Sequence, residues 1–154
     1  VRSRRQRQMC IRDRPMAVSM VKSIKLTMGR LDEASRKLNK MNQSVRTFLE
    51  EFRGVYINSP KDSAPQIINV SFPGVKGEVL VNAFSKHGVM ISTTSACSSK
   101  RGKLNEVLLA MGVPDARIEG SIRISMGVHT TEEDIQRFKE VFEQVYEEVK
   151  ELLK

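Results

Sequence analysis

Ile67-Ile68-Asn69-Val70-Ser71-Phe72-Pro73-Gly74 alternates apolar and polar side chains and then stops at a turn pair. Ile68, Val70 and Phe72 fall on one side of an extended chain, Asn69 and Ser71 on the other, which is the signature of a half-buried strand. Pro73-Gly74 closes it. A second stretch repeats the pattern: Ser121 to Met126 puts Ile122, Ile124 and Met126 inward and Ser121, Arg123 and Ser125 outward. Two such strands need a layer of helices against their apolar face, and the rest of the chain supplies one.

Upstream, Ile24, Met28, Leu31, Leu38, Met41, Val45, Phe48 and Phe52 recur by threes and fours, predicting one long helix over 16–53 with a single buried face. Gly29 is expected to weaken that helix without ending it, and Gly54 to stop it. Val55 to Asn58 predicts a short strand, and the breaker-rich Ser59 to Pro65 a loop. Between the two alternating stretches, Gly77 to His87 predicts a helix with Gly88 as its left-handed cap, Val89-Met90-Ile91 a buried strand, and Leu104 to Met111 a short helix. The last helix is expected to open on a capping box of Thr130 with Glu133 and to reach about Leu153. The predicted fold class is α/β, an α+β sandwich in which a small sheet over 55–154 packs against helices, the two long terminal helices together on one of its faces.

The chain has 154 residues, 40% of them hydrophobic, which suits one domain with a real core. No apolar run is long enough to cross a bilayer. Two cysteines and no secretory pattern favour a reducing cytoplasm over a disulfide framework. The net charge of +8 suggests nucleic acid, but its distribution does not. Residues 1–14 hold six arginines and one aspartate, so most of the excess sits in a short arm without interleaved aromatic residues. That arm reads as a solvated, non-native tail resembling translated adapter sequence, and neither nucleic acid nor a membrane is an expected partner. Cys10 lies within it.

Cys97 occupies a loop of small hydroxylated residues followed by cations, Ser92-Thr93-Thr94-Ser95-Ala96-Cys97-Ser98-Ser99-Lys100-Arg101-Gly102-Lys103. Positive charge favours the thiolate and small neighbours leave it accessible, so Cys97 is the candidate nucleophile; an inert core cysteine is the alternative. Arg123, between two serines on the outward side of its strand, presents a planar fork suited to a carboxylate, or to an ordinary salt bridge. His87 and His129 lack partners at ligand spacing, so no metal site is expected. Neither common glycine-rich phosphate loop occurs.

Five pieces in register give this chain a resemblance to cysteine desulfurases, the NifS/IscS-like members of the class V aminotransferase family. They are Ser59-Pro60 through Ser63-Ala64-Pro65, Asn69 through Glu78, Ser92 through Ser99, Ala110-Met111-Gly112, and Gly120 through Ser125 leading into Thr130 to Ile135. The match runs over 15–154 and implies the small C-terminal domain of a fold-type I pyridoxal 5'-phosphate (PLP) transferase. The resemblance implies an enzyme converting L-cysteine to L-alanine and leaving a persulfide on Cys97, with Arg123 binding the substrate carboxylate. It implies homodimers at full length and a sulfur acceptor, either a tRNA-thiolation enzyme or an iron–sulfur scaffold.

Two departures from the family pattern are Thr94, where glycine is common, and Val128-His129, where arginine-phenylalanine is common and packing is the expected concern. Ser85-Lys86-His87 has its lysine and histidine reversed and is rejected as a cofactor attachment site. The cofactor domain is absent from this sequence, so the chain alone is expected to be inactive. Sulfur or selenium as the transferred atom stays open, as does a non-catalytic sulfur-carrier or binding module that uses Cys97.

Overall fold

The computed structural model describes residues 4–93 and 105–153, with side chains from Arg14 onward. It divides into two units, Val1–Arg36 and Lys37–Lys154. In the first, α1 (Arg4–Met28) is one continuous helix that includes Pro15. The basic arm read as a tail is therefore helical in its backbone from Arg4, as its arginines, glutamines and methionine allow. The single helix expected over 16–53 is in fact two. Gly29 and Arg30 form a turn, with Arg30 N–H donating to the Thr27 carbonyl at 3.1 Å, and α2 (Leu31–Leu49) starts afresh. Glycine in place of a better helix former lets the ladder break there.

The predicted apolar stripe divides along with the helix. Leu38, Met41, Val45 and Phe48 are buried, whereas Ile24, Met28 and Leu31 are 47%, 69% and 55% exposed. The first unit exposes further apolar residues on α1, among them Met16, Val18, Met20 and Val21.

The second unit carries the sheet. Its strands are β1 (Tyr56–Ile57), β2 (Ile67–Ser71), β3 (Ser92–Thr93) and β4 (Ser121–Ser125), in the order β1-β2-β4-β3. Every pairing is antiparallel, with Ile68 opposite Ile124 and Val70 opposite Ile122. Between the strands lie α3 (Gly77–Lys86), α4 (Glu106–Ala110) and α5 (Asp115–Glu119), and α6 (Glu132–Val149) follows β4. The triplet Val89-Met90-Ile91, expected as a strand, precedes the pairing: Val89 and Ile91 pack against the core while Met90 is 82% exposed. Helix α5 had no counterpart in the predicted elements.

The core lies between the helices and one face of the sheet. Ile68, Val70 and Phe72 meet Ile122, Ile124 and Met126 from the strand side, and α2, α3 and α6 close over them. All six phenylalanines gather there around Phe142, whose ring centroid lies 5.5 Å from Phe48, 4.9 Å from Phe52, 5.7 Å from Phe72, 6.0 Å from Phe84 and 5.8 Å from Phe138. Edge-on and tilted rings at such distances add to their burial. Two polar clips fix the periphery. Arg46 donates to the Ser59 and Pro60 carbonyls at 3.0 and 2.8 Å and so holds the breaker-rich loop on α2. Lys37 donates to the Val128 carbonyl at 2.9 Å. Val128 is itself exposed, so the Val128-His129 departure contributes a backbone acceptor there rather than core packing.

Candidate functional site

The face of the sheet turned away from the core is polar, because the period of two that buries Ile68, Val70, Ile122 and Ile124 sends their neighbours outward. Register places Tyr56 opposite Ser71, Ser71 opposite Ser121, and Asn69 opposite Arg123, with Ser92 on the other flank of Arg123. Phe72 N–H donates to Gly120 and Met126 N–H to Gln66. By alternation the Asn69/Arg123 pair falls between backbone bonds, where facing side chains stand closest.

Arg123 is exposed, and no hydrogen bond or ion pair joins its guanidinium to another described residue. A guanidinium without a described partner on a central strand, with an amide and a hydroxyl as its register neighbours, has the chemistry to hold a planar anion such as a carboxylate.

Toward β1 the same face is closed by a ladder that the sequence did not disclose. Arg117, from α5, lies with its Cζ 4.6 Å from the Tyr56 ring centroid and donates through Nη2 to Asn58 Oδ1 at 2.6 Å. Asn58 Nδ2 donates to Asn69 Oδ1 and to Ser71 Oγ, both at 2.6 Å. Asn69 Nδ2 donates to the Ile122 carbonyl at 3.1 Å. Asn69, Ser71 and Ser121 are buried, and the ladder gives Asn69 and Ser71 the hydrogen-bond partners that buried polar side chains require. Arg117 Nε is buried without a hydrogen-bond partner among the described residues. These contacts join residues up to 59 positions apart, a separation that periodicity does not reach.

Cys97 lies outside the described residues, as do Thr94 and the cationic residues after it. What the structure fixes is the strand after which that segment follows. Ser92 stands opposite Arg123 and Thr93 opposite Ile122, so the cysteine follows five residues after the neighbour of Arg123. Five residues reach at most roughly 18 Å when fully extended. His87 sits at the end of α3 with Nε2 3.7 Å from Glu148 Oε1, and His129 is exposed just before α6.

The described hydroxyl, amide and guanidinium groups of this face have the chemistry of an anion contact.

The family model described as aminotransferase class-V matches residues 14–138. Among curated proteins, the cysteine desulfurase IscS of Clostridium botulinum is 34% identical over 139 residues, covering 88% of this chain and 35% of that protein. The cysteine desulfurase IscS of Dictyoglomus turgidum is 33% identical over 135 residues, covering 86% of this chain and 34% of that protein. Among solved structures, a NifS-like protein superposes with a TM-score of 0.71 at 29% identity, over 82% of this chain and 32% of that one. This chain thus spans about a third of the length of the relatives it matches.

Proposed function

The chain belongs to the class-V aminotransferase family, and on that premise we propose that it is the C-terminal part of a cysteine desulfurase, carrying the sulfur-accepting thiol and the substrate-carboxylate anchor. The observation that carries this reading is the placement of Arg123: exposed, unpaired among the described residues, and next to the strand from which the Cys97 loop departs. It is supported by relatedness to cysteine desulfurases over most of the chain.

In this reading Arg123 grips the carboxylate of L-cysteine through two parallel N–H bonds and so fixes the direction of its side chain. The Cys97 thiolate forms an S–S bond to the substrate sulfur as the substrate C–S bond breaks. The electron pair of that bond stays on carbon, which takes up a proton to become L-alanine, while Cys97 retains the sulfur as a persulfide. The Cys97 and substrate sulfurs are each oxidised by one electron and the substrate carbon is reduced by two, so no outside oxidant is needed. PLP chemistry, which makes that carbon able to take the electron pair, belongs to the part of the longer protein that this chain does not include. The persulfide then passes to an acceptor protein serving tRNA thiolation or iron–sulfur assembly, in a cytoplasmic and homodimeric enzyme.

Mass spectrometry after incubation with a small-molecule persulfide donor tests the thiol: Cys97 should gain one sulfur atom. No gain under conditions where a free thiol peptide does gain it overturns the reading. The chain by itself should release no alanine from L-cysteine with added PLP, and measurable release would refute its assignment as one part of the catalytic unit.

A further inference from the structure

We propose that Gly77 is a positioning residue for the sulfur transfer. By carrying no side chain it lets α3 seat against the seam between β3 and β4, and so sets the strand that precedes Cys97 against the strand that carries Arg123. The inference rests on the reading of Cys97 as the sulfur-accepting thiol and Arg123 as the carboxylate anchor.

Gly77 is the first residue of α3 and is buried. A Cβ there would lie 2.8 Å from the Ser121 carbonyl oxygen and 3.3 Å from Thr93 Cγ2. Ser121 opens β4 and Thr93 ends β3, so a single methyl group would bear on both strands. The backbone bonds locate the pressure. Phe72 N–H donates to Gly120 and Met126 N–H to Gln66, so by alternation β2 bonds the even-numbered residues of β4, and the carbonyls of Ser121 and Arg123 turn to the β3 flank. Gly77 therefore stands where β4 faces β3. That point is two residues before Arg123 on one strand and four before Cys97 on the other.

The three elements that meet there are held unequally. Leu80 and Phe84, both fully buried, lock α3 into the core. Five register pairs, from Ile67 with Ser125 to Ser71 with Ser121, hold β4 to β2. Strand β3 lies at the edge of the sheet with two described pairs. A close-packed interior passes on the displacement that an added methyl demands, and the least-held element yields. Strand β3 shifts while Arg123 keeps its place. Misplacing a reacting group by about 1 Å can cost about 100-fold in rate, so a shift of a few tenths of an ångström ahead of the thiol should cost about tenfold. Grip on the substrate carboxylate does not pass through β3.

Gly77→Ala in the longer, PLP-loaded protein tests this. Its kcat for alanine formation should fall about tenfold with the KM for cysteine within about twofold of wild type. In this chain, the same variant should gain sulfur on Cys97 from a small-molecule persulfide donor as fast as wild type, because that reaction needs no alignment with Arg123. An unchanged kcat overturns the proposal. So does a rise in KM that matches the fall in kcat, which would place the shift on β4, and so does an equal loss of donor reactivity, which would place the effect on the thiol itself. If Gly77→Ala does not fold, Thr93→Ala decides, since it removes the methyl through which β3 meets α3: a lower kcat at constant KM upholds the proposal, and no change overturns it. A wild-type Cys97 that takes no sulfur from the donor sinks the reading of the thiol, whereas a wild-type persulfide with equal kcat in Gly77→Ala sinks this inference alone.

Discussion

Gly120 and Arg123 lie three positions apart and answer to different demands. A Cβ at Gly120 would come within 2.2 Å of the Phe72 carbonyl oxygen and 2.7 Å of that of Val75, both rigid backbone atoms. Gly120→Ala should cost about 3 kcal/mol or prevent folding, as overpacking against backbone does. Gly88→Ala, with open space around it but a φ of 78°, should cost about 1 kcal/mol. Urea denaturation of the two variants checks the order, and equal losses would mean that the Phe72–Gly120 approach is loose. Arg123→Ala, by contrast, removes an exposed group without a described partner and should leave stability within about 0.5 kcal/mol of wild type. A clear drop in its urea midpoint would show that this arginine serves the fold. Arg123 was legible in the sequence because alternation alone sets it on the outward side of β4. Asn58 and Arg117 were not, because their roles arise from contacts across β1, β2 and α5.

Among the elements, the strands that alternate were read correctly, and one misreading falls where the sequence offers two equivalent choices. Thr130 and Thr131 are each followed three residues later by an acid, Glu133 and Asp134. The helix in fact starts on the second pair: Asp134 N–H donates to Thr131 Oγ1 at 3.1 Å and Thr131 N–H to Asp134 Oδ2 at 2.9 Å. Thr130 instead accepts the Gly127 N–H in the preceding turn, a choice made by the backbone and not by residue type. The same contacts give α6 a pH dependence. Hydrogen bonds from Thr131 hold the Asp134 carboxyl below its ordinary value of 3.8. The Lys40 ammonium, 2.7 Å away, does the same for Glu132 below 4.5. A lowered folded-state pKa means stabilisation that is present above the unfolded value and lost as pH falls through the folded one. Stability should therefore be flat near neutrality on this account and decline below about pH 4.5. Thr131→Ala should cost about 1 kcal/mol at pH 7 and shrink the acid decline. Thermal melts between pH 3 and 7 check it, and an identical acid limb in the variant would remove the capping box from the explanation.

For the molecule as a whole, the question is why a correctly placed apolar stripe is half exposed. The spacing from Ile24 to Phe52 does mark a helix face, yet only the part from Leu38 onward meets the core of its own unit. Periodicity tells which side of a helix wants cover, not which polypeptide provides it, and the matched relatives are about two and a half times as long as this chain. On α1, Met16, Ala17, Met20, Val21, Ile24 and Met28 occupy one broad arc of the helix at 100° per residue. Met16, Met20, Val21, Ile24 and Met28 are all exposed. Each large side chain left in water forgoes about 1.5–3 kcal/mol relative to full burial, so this chain alone should self-associate through α1 at concentrations of tens of micromolar, roughly where a few such side chains offset the cost of association. Sedimentation velocity should show species heavier than the monomer for residues 1–154. A truncation to 37–154 retains every residue of the buried aromatic cluster and should sediment as a folded monomer with its thermal midpoint nearly intact. If the full chain stays monomeric at those concentrations, or the truncation loses its cooperative melt, the first unit is not the sticky, separable element that its exposed arc implies.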